Sequence, residues 1–86
     1  MTQTTTTTEV RPLSTIAREI KKDWQKMYFG AVPYVTAMME LNSIKDSYYS
    51  DSAESIVLYF LSNASSWRGT KAKEIKLELN TMLKAK

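Results

Sequence analysis

The stretch from Asp51 to Trp67 constrains the fold of this chain more than any other part of it. Read as a helix, it carries apolar residues at i, i+3, i+4, i+7, i+8 and i+11, which form one continuous stripe. These residues are Ala53, Ile56, Val57, Phe60, Leu61 and Ala64. Asp51 is the expected N-cap, and Glu54 is spaced to reach back to it in a capping box. Leu58 and Tyr59 are large and lie off the stripe, so we expect this helix to contact neighbours on more than one side.

The composition favours a few long helices over a sheet. The 86 residues suffice for one domain, and 43% of them are hydrophobic. Two glycines and two prolines are too few turn residues for a small sandwich or barrel. We therefore expect an all-α fold, a compact bundle of about four helices around the helix at 52–64. The largest side chains expected in its core are Trp24, Phe29, Phe60 and Trp67.

Four segments have the apolar spacing of helices. They are residues 13–27, 33–42, 52–64 and 70–84. The first segment is followed by Gly30, which acts as a stop signal. The second begins with Pro33, whose fixed φ suits the first turn of a helix. The last directs one apolar face toward the core and leaves Leu77 outside that face.

The chain begins with a low-complexity segment. Residues 1–12 include five consecutive threonines and contain almost nothing to bury. We expect them to form a disordered lead, followed by a single helical domain at 13–86, and we expect removal of residues 1–11 to leave the fold intact. Residues 43–50 are polar and predict a loop, in which Tyr48 and Tyr49 rest their rings on the edge of the core.

Several classes of function lack their required residues. The sequence has no cysteine and no histidine, which removes disulfides, the commonest metal ligand and the commonest general base. It contains no Walker loop, no glycine-rich dinucleotide turn and no nucleophile elbow. We therefore predict a protein that is not an enzyme, with no catalytic residue, no cofactor and no metal. No apolar run reaches the roughly 18–20 residues of a membrane span, and no signal peptide is recognisable, which favours a cytoplasmic protein without a membrane partner.

The net charge of +3 is unevenly distributed along the chain. Residues 1–29 carry five bases and three acids, residues 30–60 one base and four acids, and residues 61–86 six bases and two acids. This distribution permits weak contact with nucleic acid and argues against an acidic mimic of DNA. The basic residues of the first and last predicted helices that would make such contacts are Arg18, Lys22, Lys26, Lys73, Lys76 and Lys84.

A helix–turn–helix reading of the last two helices has little support. That motif needs a turn of about three or four residues and a second helix that presents base-reading side chains. Here the connection contains Trp67. Near the start of the second helix, Arg68 is the only Arg, Gln or Asn residue that could read a base. Any binding to DNA is therefore expected to be weak and non-specific.

Two aromatic–glycine turns suggest a different surface. They are Tyr28-Phe29-Gly30 and Trp67-Arg68-Gly69, and both are predicted at helix ends. If they lie together at one end of the domain, they form a recognition surface for a protein. In the alternative interpretation, the Phe29 and Trp67 rings plug the end of the core. The residues predicted to contact a partner are Tyr28, Tyr48, Tyr49, Trp67, Arg68 and Leu77.

Several short segments of the sequence are distinctive when taken together. They include IAREI at 16–20, YFGAVPY at 28–34, SAESIVLYFL at 52–61 and WRG at 67–69. Together they resemble a group of small helical proteins from phages, prophages and other mobile elements. The group has no assigned activity, so the resemblance implies an accessory protein and supplies no functional residues. In that group we expect a glycine-containing turn where this chain has Tyr48 and Tyr49.

These observations predict a small accessory protein that docks on a protein partner, for example to modulate a host or defence protein. The alternative is a nucleic-acid-binding accessory or regulatory protein that uses the basic helix faces. Self-association is compatible with both. The sequence does not indicate the identity of the partner.

Overall fold

The computed structural model describes residues 11–85, and this part of the chain is mostly helical. Its helices and strands are α1 (Leu13–Asp23), α2 (Val32–Met38), β1 (Ser47–Tyr48), β2 (Asp51–Ser52), α3 (Ala53–Ser62) and α4 (Thr70–Ala85). A 3₁₀ turn, Phe29–Ala31, leads directly into α2. The helical class is thus confirmed, with one short hairpin added. The predicted disorder of residues 1–10 lies outside the described residues.

The helices pack on a core in which the described buried side chains are all apolar. Helix α1 contacts α2 and α4, while α3 contacts α2, α4 and strand β2. The apolar stripe predicted for α3 faces this core and is confirmed. Its buried members are Ala53, Ile56, Val57, Phe60 and Ala64, with Leu61 half-buried. Leu58 and Tyr59 lie off the stripe and are more than half exposed.

Three aromatic rings meet where α1, α3 and the turn before α4 come together. The indoles of Trp24 and Trp67 stack with their centroids 5.6 Å apart. The ring of Phe60 meets both of them edge to face, at 6.4 Å from Trp24 and 6.2 Å from Trp67. The Trp67 Nε1–H donates a 2.8 Å hydrogen bond to Asp23 Oδ2, so its polar atom is satisfied. We call Trp24, Phe60 and Trp67 the aromatic cluster.

Both of the first two helices end earlier than predicted. Helix α1 ends at Asp23 because Trp24 leaves helical geometry, with φ −99° and ψ 74°, and its ring is buried in the core. Helix α2 ends at Met38, and the chain then turns so that the carbonyls of Leu41 and Asn42 accept the N–H groups of Ser14 and Leu13. These carbonyls supply partners for the first amides of α1, whose N-cap residue is a proline without a side-chain cap.

The loop predicted at 43–50 is in part a hairpin. Ser47 pairs with Ser52 and Tyr48 with Asp51, and Tyr49 takes a positive φ of 57° in the two-residue turn. The N-cap of α3 is Ser52 rather than the predicted Asp51, since the Ser52 hydroxyl accepts the Ser55 N–H at 3.1 Å. Asp51 is instead part of β2, where its backbone pairs with Tyr48.

Arg11 contacts the helical domain, although the sequence pattern predicts it to lie in the disordered lead. Its guanidinium makes a bidentate pair with the Glu78 carboxylate at 2.7 and 2.9 Å, and a third contact with Glu19 Oε2 at 2.6 Å. It thereby connects α1 to α4. The hydrogen bond from Arg11 lowers the pKa of the Glu19 carboxyl, and the charge of Lys71 lowers it further against the effect of burial. The folded boundary therefore lies at least as early as Arg11.

We expect Phe60→Ala to lower the free energy of unfolding by about 3–5 kcal/mol, because this side chain is fully buried and its ring meets both indoles edge to face. Leu58→Ala on the same helix is the matched control and should cost less than about 1 kcal/mol, since Leu58 is 53% exposed. Urea unfolding followed by circular dichroism measures both values. If Phe60→Ala unfolds the chain, Phe60→Leu serves in its place. Phe60→Leu should lose more free energy of unfolding than Leu58→Ala and less than Phe60→Ala. An equal loss for Leu58→Ala and Phe60→Ala would contradict the packing.

We expect Arg11→Ala to lower the free energy of unfolding by about 1 kcal/mol at neutral pH, a modest value because all three side chains remain about one-third exposed. Because the pKa of Glu19 is lowered in the folded state, its ionised carboxylate stabilises the fold fully at pH values above its ordinary pKa of 4.5. This stabilisation is lost as the pH falls through the pKa of Glu19 in the folded state. Urea midpoints measured from pH 7 to pH 3 should therefore fall less steeply for Arg11→Ala. Arg18→Ala, an exposed arginine on the same helix, should keep the wild-type slope.

Candidate functional site

The turn between α1 and α2 presents aromatic rings to solvent. Phe29 is 80% exposed, and Tyr28 and Val32 beside it are also exposed. The Tyr28 and Phe29 rings contact each other at a centroid distance of 5.0 Å. The expectation that Phe29 belongs to the core is wrong, because the 3₁₀ turn buries Ala31 and leaves Phe29 outside. We call Tyr28, Phe29 and Val32 the aromatic turn.

Gly30 fixes the position of Tyr28 in this turn. A Cβ atom at position 30 would lie 2.5 Å from a carbon of the Tyr28 ring and 3.0 Å from the Asn63 side-chain oxygen. A larger residue at position 30 would therefore require the Tyr28 ring to move away from the backbone beside the end of α3. Asn63 is itself held by a 2.8 Å hydrogen bond from its amide nitrogen to the Tyr59 carbonyl.

A cleft of about 190 Å³ opens beside the aromatic turn, between the end of α1 and α2. Among the described residues that line it there is one cation and no carboxylate. They are Lys21, Trp24, Gln25, Met27, Val32, Val35 and Thr36. Val32 is shared by the cleft and the aromatic turn, so the two are continuous. The cleft has room for one apolar side chain of a ligand, and Lys21 can pair with a negative charge that the ligand carries beside that side chain.

The second aromatic–glycine turn is built differently. Trp67 is only 2% exposed and belongs to the aromatic cluster, as the core-plug interpretation has it. Arg68 is exposed, and Gly69 has φ +113°, a left-handed conformation that turns the chain into α4. The side chain of Trp67 is therefore not part of the surface, whereas that of Arg68 is.

A basic groove of about 520 Å³ lies along this turn and the start of α4. Its lining residues are Ser65, Trp67, Arg68, Gly69, Thr70, Ala72, Lys73 and Lys76. The Lys76 ammonium donates to the Trp67 carbonyl at 2.7 Å and lies 6.0 Å from the centre of the Trp67 ring. Burial lowers the pKa of Lys76, and the positive charge of Arg68 lowers it further. The groove thus brings cations together at some electrostatic cost.

The two turns lie at the same end of the domain. Ser65 lines the basic groove, and it also lines a shallow depression shared with Tyr28, Ser62, Asn63 and Ser66. The aromatic turn and the basic groove are therefore separated by little more than the segment that follows α3. The other predicted contact residues lie on different elements: Tyr48 and Tyr49 on the hairpin and Leu77, 69% exposed, on α4.

The six basic residues considered for nucleic acid do not share one groove. Lys73 and Lys76 line the basic groove, while Lys22 lines a separate depression with Glu19, Asp23 and Lys71. Lys84 stands eight residues beyond Lys76 on α4, or about 12 Å along the helix axis. The sequence pattern did not select Lys21, which lines the cleft, and it counted Phe29 among the core residues, because only the fold shows which side chains at the end of α1 and in the following turn face outward.

Within residues 11–85, no group of three or more carboxylates is close enough to hold a metal ion. None of the helices described there has both the length and the apolar character needed to cross a bilayer. Comparison with models of known protein families, with curated proteins and with solved structures found no match to this chain.

Proposed function

We propose that this chain is a small, non-enzymatic accessory protein that binds a protein partner through the aromatic turn and the adjoining cleft. The 80% exposure of Phe29 carries this proposal, because a domain of this size gains from burying its few large apolar side chains. Exposed aromatic residues beside a preformed apolar cleft are the usual anchors of protein interfaces. The sequence resemblance supports an accessory protein of phage or mobile-element type.

The partner that fits this surface presents an apolar side chain flanked by acidic residues. The lining of the cleft is mainly apolar, and Lys21 is the charged residue in it. Lys26 follows closely in the sequence and is exposed. An acidic segment is thus favoured by charge complementarity, which steers association and discriminates among partners.

Two finer features belong to the same proposal. The helices are arranged as a bundle around α3, which is supported by the contacts of α3 with α2, α4 and β2. The protein acts in the cytoplasm, which is supported by the sequence alone. The bundle arrangement and the cytoplasmic location do not alter which residues form the docking surface.

A display library of random peptides selected on the full chain tests the proposed surface. We expect enriched peptides to carry one large apolar residue flanked by Asp or Glu. Phe29→Ser should weaken their binding about tenfold or more, as loss of an interface anchor does, while the exposed position keeps the fold intact. Leu77→Ser is the matched control: Leu77 is also apolar and exposed, but it lies on α4, outside the aromatic turn and the cleft, so this variant should bind like wild type.

Two results would contradict the proposal. Enriched peptides that bind Phe29→Ser as tightly as wild type would place the contact elsewhere, and dependence on Leu77 instead would move it to α4. Lys21→Ala adds a test of the charge argument: it should weaken acidic peptides most at low salt, where electrostatic attraction is least screened.

A further inference from the structure

The basic groove differs from the rest of the surface in the donors that it gathers. Arg68, Lys73 and Lys76 contribute three cationic groups, and Ser65 and Thr70 contribute hydroxyls. The described residues that line the groove include no carboxylate. Hydrogen-bond donors of this kind, without a competing acid, match the oxygens of a phosphate group, and an Arg fork can bind two of them at once.

The position of Lys76 makes the groove more than a run of surface lysines. Its ammonium is held by the Trp67 carbonyl and lies over the Trp67 ring, so the side chain is fixed and not swinging in solvent. Trp67 is itself fixed by its stacking on Trp24 and its hydrogen bond to Asp23. A lysine that is already held in place loses less conformational entropy on binding an anion than a freely moving lysine does.

The same geometry argues against reading of a nucleic acid. Trp67 is the aromatic residue that lines the groove, and at 2% exposed it offers no free face on which a base could stack. Lys84 lies about 12 Å further along α4 and does not extend the lining. The arrangement therefore favours a ligand with one or two phosphate groups over the extended phosphate backbone of a nucleic acid.

We propose that the groove formed by Arg68, Lys73 and Lys76 binds a phosphate group of a small ligand, as a monophosphate or a diphosphate. The site is independent of the aromatic turn, although both lie at the same end of the domain. A bound phosphate offsets the repulsion between the positive charges of Arg68 and Lys76.

Titration of the full chain with inorganic phosphate and with pyrophosphate, followed by amide chemical shifts, tests this site. We expect saturable shifts confined to residues 65–76. Arg68→Ala and Lys73→Ala should each weaken binding about tenfold, the value of one charge-assisted contact. Lys84→Ala removes the same charge from the same helix and should change affinity less than about twofold. Both groove positions are exposed, so the variants should fold like wild type, which circular dichroism checks.

Each other outcome decides against the proposal. Equal weakening by Lys84→Ala would show attraction to net charge alone, and the absence of saturable shifts at millimolar pyrophosphate would exclude the site. Single-stranded DNA that binds far more tightly than pyrophosphate, with loss on Lys84→Ala, would assign the groove to nucleic acid instead. Phe29→Ser should keep pyrophosphate binding, so failure of the docking proposal and failure of this one are distinguishable.

Discussion

The stacked indoles of Trp24 and Trp67, closed by the edge of Phe60, hold together parts of the chain that are far apart in sequence. Trp24 ends α1, Phe60 lies on α3, and Trp67 begins the turn into α4. Burying three large rings in one place is among the strongest contributions that a domain of 86 residues can make to its stability. The Trp67 carbonyl also accepts a hydrogen bond from the Lys76 ammonium, so the aromatic cluster forms one side of the basic groove.

The parts of the fold that depend on local spacing could be predicted from the sequence. The stripe of α3 is an example, since one helical period decides which side chains face inward. The ends of α1 and α2 could not be predicted, because they depend on distant partners. Trp24 leaves its helix to meet Trp67, and α1 starts where the carbonyls of Leu41 and Asn42 meet its first amides. No periodic pattern encodes either contact.

The hairpin shows a similar limit. Its first turn residue, Tyr49, has φ 57°, a conformation in which glycine or asparagine is usual and a tyrosine is strained. The pair of tyrosines therefore predicts a loop from residue preferences alone. As predicted, Tyr48 lies partly against the core, but Tyr49 does not: it is 89% exposed, and its ring meets that of Tyr48 edge to face at 4.7 Å. Strand pairing and a ring contact together sustain a turn that local preference disfavours.

The two aromatic–glycine turns illustrate why equivalent motifs take opposite roles. Both predict an aromatic side chain next to a glycine at a helix end, and spacing alone treats Phe29 and Trp67 as equals. Trp67 enters the core because Asp23 satisfies its indole N–H and Trp24 offers a flat face. Phe29 has no polar group to satisfy, yet its place in the interior is taken by Ala31, since the 3₁₀ turn directs that smaller residue inward. Trp67 then holds the Lys76 ammonium at the basic groove, while the exposed ring of Phe29 is the anchor that we propose for a partner. One end of the domain thus combines a cationic groove with an apolar surface.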